Sequence, residues 1–275
     1  MHQRGYRRQL LAALTALVVV GIAGPVAAYH DDRGKVTADT AHSLGAGDLR
    51  VSLWTLDVGV IDGLQVGTIY LANLLRFYNA GVKWTFWEDG PIALSARLDV
   101  AYIDFEQWPV KSSSPAEAFV VPFELAGSWQ LSQAWGLHLT TVFTQIDASA
   151  TPDSEALQGA AGLDNAQLVF AVHWRLGRIT TLFLRGRQLL FQEAGGAVDA
   201  RIDIDDKTTA RVVAEGDTDA VDFGGARSAV VGAIWSGKHF NLRAGVGYGN
   251  WSLPVVNFVT PKPLPILDLD LYFRF

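Results

Sequence analysis

"LDLDLYFRF", residues Leu267–Phe275, is the stretch on which the reading of this chain turns. Leu267, Leu269, Leu271, Phe273 and Phe275 are apolar, and Asp268, Asp270, Tyr272 and Arg274 between them are polar or amphipathic. Side chains of a strand point alternately to opposite faces, so strict alternation marks a strand with one apolar and one polar face. What has to be decided is the phase that the apolar face meets, a protein core or lipid.

The N-terminal residues bear on the compartment. "MHQRGYRR" carries Arg4, Arg7 and Arg8 and no acid, Leu10–Ala23 is an apolar run broken only by Thr15 and Gly21, and "GPVAA" follows. Val26 and Ala28 occupy the −3 and −1 places of a small-residue cleavage site, so residues 1–28 are expected to be a secretory signal peptide cut after Ala28. This run of 14 residues falls short of the roughly 20 that a membrane-spanning helix needs. Cleavage would take the net charge from −6 to −9, because three arginines leave with the peptide. Residues 29–35 then form a short N-terminal segment, and 36–275 the main domain. An acidic exported chain is not expected to bind nucleic acid. There is no cysteine, which excludes disulfides and thiolate metal sites.

From residue 36 onward the pattern is strand after strand. "FVVPFELAGSWQL" (119–131), "WGLHLTTVF" (135–143), "AQLVFAVHWRL" (166–176) and "FNLRAGVGY" (240–248) are the clearest. With 36–44, 49–60, 63–73, 79–87, 91–103, 179–192, 226–236 and 264–275 they make twelve, the first being the weakest. Short turns "IDG" (61–63), "EDG" (88–90), "LSQA" (131–134), "LGR" (176–178) and "SGK" (236–238) alternate with connections at 74–78, 104–118, 144–165, 193–225 and 249–263, plus a tight "GAGD" at 45–48. Tight turns at one end and long loops at the other describe a row of hairpins with unlike ends, as in a transmembrane antiparallel β-barrel. Fourteen strands are the alternative, if "ARIDID" and "TARVVAE" within 193–225 form another hairpin.

Two features point the apolar face toward lipid. Aromatic residues gather at strand ends: Trp84, Phe86, Trp87, Trp129, Trp135 and Trp174 by the short turns, with Trp235, Phe240, Phe273 and Phe275. Tyr70, Phe77, Tyr78, Tyr102, Phe105, Phe119, Tyr248 and Trp251 lie toward the loops. Rings at both ends of a strand array match the two girdles of a membrane barrel, whereas core aromatics would sit mid-strand. The opposite face carries Arg50, Lys83, Arg97, Asp99, Glu124 and His138, and further along His173, Arg175, Arg185, Arg187 and Arg243. Burying such charges in a dry core is costly, but a wet or salt-bridged lumen accommodates them.

Leu267, Leu269, Leu271, Phe273 and Phe275 also resemble the C-terminal signal strand of Gram-negative outer-membrane barrel proteins, with apolar residues at every second place before a terminal Phe. The resemblance covers about residues 36–275 and identifies a porin-like class rather than a member. It implies location in the bacterial outer membrane, contact with its lipids and lipopolysaccharide, and delivery by periplasmic chaperones to the barrel-assembly machinery. That machinery would read the last strand, which would close the barrel against the first.

No catalytic constellation is read from the residues. The histidines (His2, His30, His42, His138, His173 and His239) lack the H-x-S-N-G pattern of outer-membrane phospholipase. His138 and His173 lie on consecutive strands facing the lumen, where ordinary polar roles are expected rather than a metal or acid–base pair. The acids around "DIDIDD" lack the glycine and distal glutamate of a calcium loop and read as a solvated acidic loop. No cofactor is implied. Arg175, Arg185 and Arg187 are the sharpest lumen cluster, either a bidentate site for carboxylates or phosphates or braces paired with acids such as Glu124 or Asp99. The expected function is a narrow channel for small polar solutes; the alternatives are a non-conducting structural or adhesive barrel and, last, an outer-membrane hydrolase.

Overall fold

The computed structural model describes residues 36, 39–74, 77–104, 116–150, 157–177, 179–205, 208–215, 225–237, 239–252, 257 and 259–275. The proposed signal peptide and residues 29–35 lie outside them. The elements are β1 (Leu49–Ser52), β2 (Leu56–Ile61), β3 (Leu64–Thr68), α1 (Tyr70–Leu74), β4 (Phe77–Asp89), β5 (Ile92–Asp104) and β6 (Ala116–Gln130). They continue as β7 (Trp135–Ala150), β8 (Leu157–Arg175), β9 (Thr180–Asp205), β10 (Thr208–Glu215), β11 (Arg227–Ser236), β12 (Phe240–Ser252) and β13 (Val259–Arg274).

Twelve of these strands close a ring in which every pairing is antiparallel: β1 to β9, then β11, β12 and β13, which returns to β1. At the seam Val51 stands opposite Phe273, and Leu49 and Phe275 exchange backbone hydrogen bonds of 3.2 and 2.9 Å. Closure leaves no unpaired edge, which is the condition for strands in hydrocarbon. β10 stays outside the ring and pairs only with the far part of β9, Ala197–Asp205. "ARIDID" and "TARVVAE" therefore do form a hairpin, but as an extension of the wall rather than strands thirteen and fourteen of the ring. β8 and β9 run 19 and 26 residues, well past the roughly 9–11 that cross a bilayer.

The count of twelve conceals two corrections that cancel. Residues 36–44, expected as the first strand, are not a strand where described: Val36 and the residues 39–44 lie inside the barrel. The single strand expected at 49–60 is two, because Ser52 Oγ accepts hydrogen bonds from the amides of Trp54 (3.0 Å) and Thr55 (2.8 Å) and turns the chain there. Serine does this without glycine or proline, so "LWT" carried no turn signal. "GAGD" accordingly joins the inner segment to β1, not two strands. The strand expected at 63–73 ends at Thr68: Asn79 accepts from the Ile69 amide (2.7 Å) and donates to the Ile69 carbonyl (3.1 Å), and α1 follows.

The exterior is apolar. Leu184, Val231, Val246, Leu264, Leu267 and Leu269 are exposed, as are Trp84, Trp135, Trp174, Trp235, Phe240 and Phe273 toward the short turns. Tyr78, Tyr102, Phe119 and Tyr248 are exposed toward the loops. This band with aromatic girdles is the surface of a membrane-spanning barrel. Three aromatics depart from the girdles. Trp129 is 8% exposed, Phe77 packs on the buried Ala101–Val120 cluster, and the Tyr70 hydroxyl donates to the Ser52 and Leu53 carbonyls (2.9 Å each). Phe105 and the Trp251 side chain lie outside the described residues.

Leu267, 76% exposed near the middle of β13, gives a direct check of the lipid face. Leu267→Arg is expected to cost about 2–4 kcal/mol of folding free energy in lipid vesicles, the range for arginine on the lipid face near the midplane. Urea titration followed by loss of heat-modifiable migration measures it. A change near zero would mean that this face does not meet hydrocarbon.

Candidate functional site

Toward the short turns the lumen is occupied by the chain itself. Lys83 Nζ donates to the carbonyls of Thr40 (2.8 Å) and His42 (2.6 Å), and Thr85 Oγ1 to that of Ala41 (2.7 Å). The Ala41 amide donates to Ser128 Oγ (2.6 Å) and the Leu44 amide to Gln65 Oε1 (3.1 Å). Polar side chains of β3, β4 and β6 thus satisfy a backbone that has no ladder of its own, as a buried segment requires. Val36 packs on Phe183, Val230 and Ile234, with Ile266 beside them. Apolar side chains on the inner face were not expected from the alternation; they exist because they meet this inner segment rather than water.

Asp39 fastens the plug. It accepts from Arg243 Nη2 (2.6 Å) and Arg185 Nη1 (3.4 Å), and both arginines also reach Asp268 (2.9 and 2.7 Å). Arg243 lies over the Phe183 ring at 4.4 Å. Burial alone would raise the Asp39 carboxyl, but the Arg243 and Arg185 guanidinium groups hold it well below the usual carboxylate range.

At the loop end Asn257 reaches inward. The Asn257 carbonyl accepts from Gln167 Nε2 (2.6 Å) and Asn165 Nδ2 (3.2 Å), and its Nδ2 donates to Thr144 Oγ1 (3.2 Å). Asp39 and Asn257 both have positive φ, 58° and 50°. Asp and Asn are the side-chain-bearing residues that enter this region most readily, so both positive φ angles fall where the sequence permits them.

Asp39 and Asn257 both line a cavity of about 630 Å³. Its charged lining includes Arg50, Asp57, Lys83, Arg97, Glu124 and Arg187, together with the Asp39 latch. Arg50 pairs with Asp270 (2.6 Å), and Arg97 with Asp99 through two hydrogen bonds of 2.7 and 2.8 Å. Asp99 can fold across β4 because residue 81 is glycine: a Cβ there would stand 1.8 Å from Asp99 Oδ1. Gly67 clears Asp57 in the same way, at 2.1 Å.

The structure separates the residues that the sequence grouped. Arg97, Glu124, Arg185, Arg187 and Arg243 line the cavity, and Asp99 backs Arg97. Arg175 does not line it; its Nε donates to the Gly177 carbonyl (2.8 Å) at the short-turn rim. The partners of Arg185 are Asp39 and Asp268 rather than Glu124 or Asp99. His138 and His173 do meet, with ring centroids 4.4 Å apart. His138 Nδ1 lies 2.8 Å from Ser128 Oγ, which also accepts from the Ala41 amide. Ser128 is buried beneath the plug, away from the cavity. Asp39 and Asn257 were missed because both lie in segments read as a strand or a loop, and only their αL-tolerant residue types hinted at a turn.

No protein-family model matches the chain. No curated protein matches it either. Solved structures that match include the outer-membrane expressed OmpT of Vibrio cholerae at 13% identity, covering 94% of this chain and 72% of that one, with a TM-score of 0.40. The TodX monoaromatic hydrocarbon channel deltaS2 mutant matches at 10% identity over 84% of this chain and 69% of its own, TM-score 0.42. The translocator domain of the autotransporter NalP from Neisseria meningitidis matches at 11% over 98% and 95%, TM-score 0.44.

Proposed function

We propose that the protein is a bacterial outer-membrane channel for small polar solutes, closed at its short-turn end by residues 36–44 and opened when that segment leaves the lumen. The charged cavity between the plug and Asn257 supports this reading. A barrel serving only as a structural or adhesive element has no use for a charged internal space, and side chains alone can fill a small barrel. The plug is held by hydrogen bonds and one charged latch rather than by strand pairing, which suits a part that detaches.

Single-channel recording of the intact protein in a planar bilayer tests the proposal. Brief openings, with long closed periods between them, are expected. Persistent silence, with or without the plug, would favour the structural or adhesive alternative.

The same reading places the short turns in the periplasm and the extended β8–β10 wall outside the cell, facing lipopolysaccharide. The barrel-assembly machinery and periplasmic chaperones are the partners proposed for insertion through β13. A tag inserted at Gly216 is expected to be labelled on intact cells, and one at Gly237 only after the outer membrane is permeabilised. The reverse pattern would invert the barrel.

A further inference from the structure

Most charges around the cavity are matched. Three lack an ion pair among the described residues: Asp57, which takes a hydrogen bond from Thr55, Arg187, and Glu124, which has no hydrogen bond either although it stands opposite Arg97 in the sheet. Among the described residues, the only hydrogen bond of Arg187 runs from Nη1 to Gln167 Oε1. An acid and a base that face one space and leave each other unpaired are unusual, since in a confined lumen each lacks the solvation it has in bulk water.

The sheet register explains why they remain apart. Glu124 stands opposite Val142, Val142 opposite Gln167, and Gln167 opposite Leu189. Arg187 begins one inward row away, opposite Val169. Its hydrogen bond to Gln167 draws the guanidinium onto the Glu124 row. Gln167, 0% exposed, is itself fixed through Nε2 to Asn165 Oδ1 (3.1 Å) and the Asn257 carbonyl (2.6 Å). Two strand spacings separate the β6 and β8 positions on that row, about 10 Å along the wall. Val142, Val169 and Thr140 form the wall between the two charges.

We infer that Glu124 and Arg187 form a binding site for a small zwitterion, an amino acid or short peptide whose ammonium meets Glu124 and whose carboxylate meets Arg187. A guanidinium fork takes a carboxylate bidentately, and a carboxylate accepts the several N–H donors of an ammonium. A ligand carrying both charges neutralises both groups at once; a simple anion or cation would leave one of them uncompensated. The inference deepens the channel reading by naming its solute class and rests on that reading for its role, but its test needs no current.

Binding to the full chain in detergent is measured by calorimetry with three probes of similar size: glycylglycine, N-acetylglycylglycine and glycylglycinamide. Glycylglycine is expected to bind at least tenfold more tightly than either blocked form. Glu124→Gln is expected to weaken glycylglycine at least tenfold and to leave the acetylated form unchanged. Arg187→Gln should likewise weaken glycylglycine and leave the amide unchanged. Equal binding of the acetylated form would reduce the site to a plain anion site, equal binding of the amide to a plain cation site, and absence of binding by all three would remove it. The blocked probes test the wild-type protein, so the inference stands or falls even if a variant does not fold. Zwitterion binding by a barrel that passes no current would keep the site and overturn the channel.

Discussion

A chain lacking residues 36–44 is expected to carry at least several-fold more current in planar bilayers than the intact protein. The argument is geometric. Within the lumen the segment is held from β3, β4, β6, β9 and β12, through Gln65, Lys83, Thr85, Ser128, Arg185 and Arg243, so it crosses the bore rather than lining one side. Removing it leaves polar side chains that water can satisfy and uncovers the inward Phe183, Val230 and Ile234, while the twelve-stranded wall keeps its own ladders. Retained heat-modifiable migration controls for folding. Asp39→Asn is the milder form: it weakens the latch while Asp268 still partners both arginines, so more frequent openings of unchanged size are expected. Because Asp39 is held below the usual carboxylate range, its part in closure persists through mild acidification and is lost only as pH falls through its depressed value. Unchanged conductance in the deletion would show that the current path, if any, does not run through the plug.

The barrel was legible from the sequence because its two demands are periodic. A lipid face needs an apolar residue at every second position, and a closed ring needs turns at regular intervals; both leave marks in single residues such as Leu267, Leu269 and Trp174. The lumen obeys neither rule. Phe183 points inward between Thr181 and Arg185 because Val36 packs on it, a contact between positions far apart in the chain that no local pattern encodes. The inner segment looked like a weak strand, since "VTADTAHSL" alternates loosely and nothing in it states that side chains of the wall, rather than a neighbouring strand, take its backbone hydrogen bonds. Arg185 and Arg187 show the same limit. They are two residues apart on one face and equivalent in sequence, yet one is bound to two aspartates and the other to a glutamine.

The latch also carries a large stability effect for a single side chain. Arg243 is 4% exposed, reaches Asp39 and Asp268 together, and stacks on Phe183. Truncating it to alanine leaves two carboxylates with only Arg185 between them and opens space over an aromatic ring. Removing one partner of a buried ion pair costs about 3–5 kcal/mol, because the remaining charge keeps its desolvation penalty and loses its compensation. Arg185 offsets part of this, so a loss near 3 kcal/mol is expected for Arg243→Ala in urea titrations from lipid vesicles. Arg243→Lys retains the charge but not the fork and should fall between. The origin of the loss is checked by combining Arg243→Ala with Asp39→Asn: relieving one stranded carboxylate should recover a measurable part of the stability, so the two changes should not add. Strict additivity, or a loss under about 1 kcal/mol for Arg243→Ala, would mean that water already solvates these acids and that the plug is held by its backbone hydrogen bonds alone.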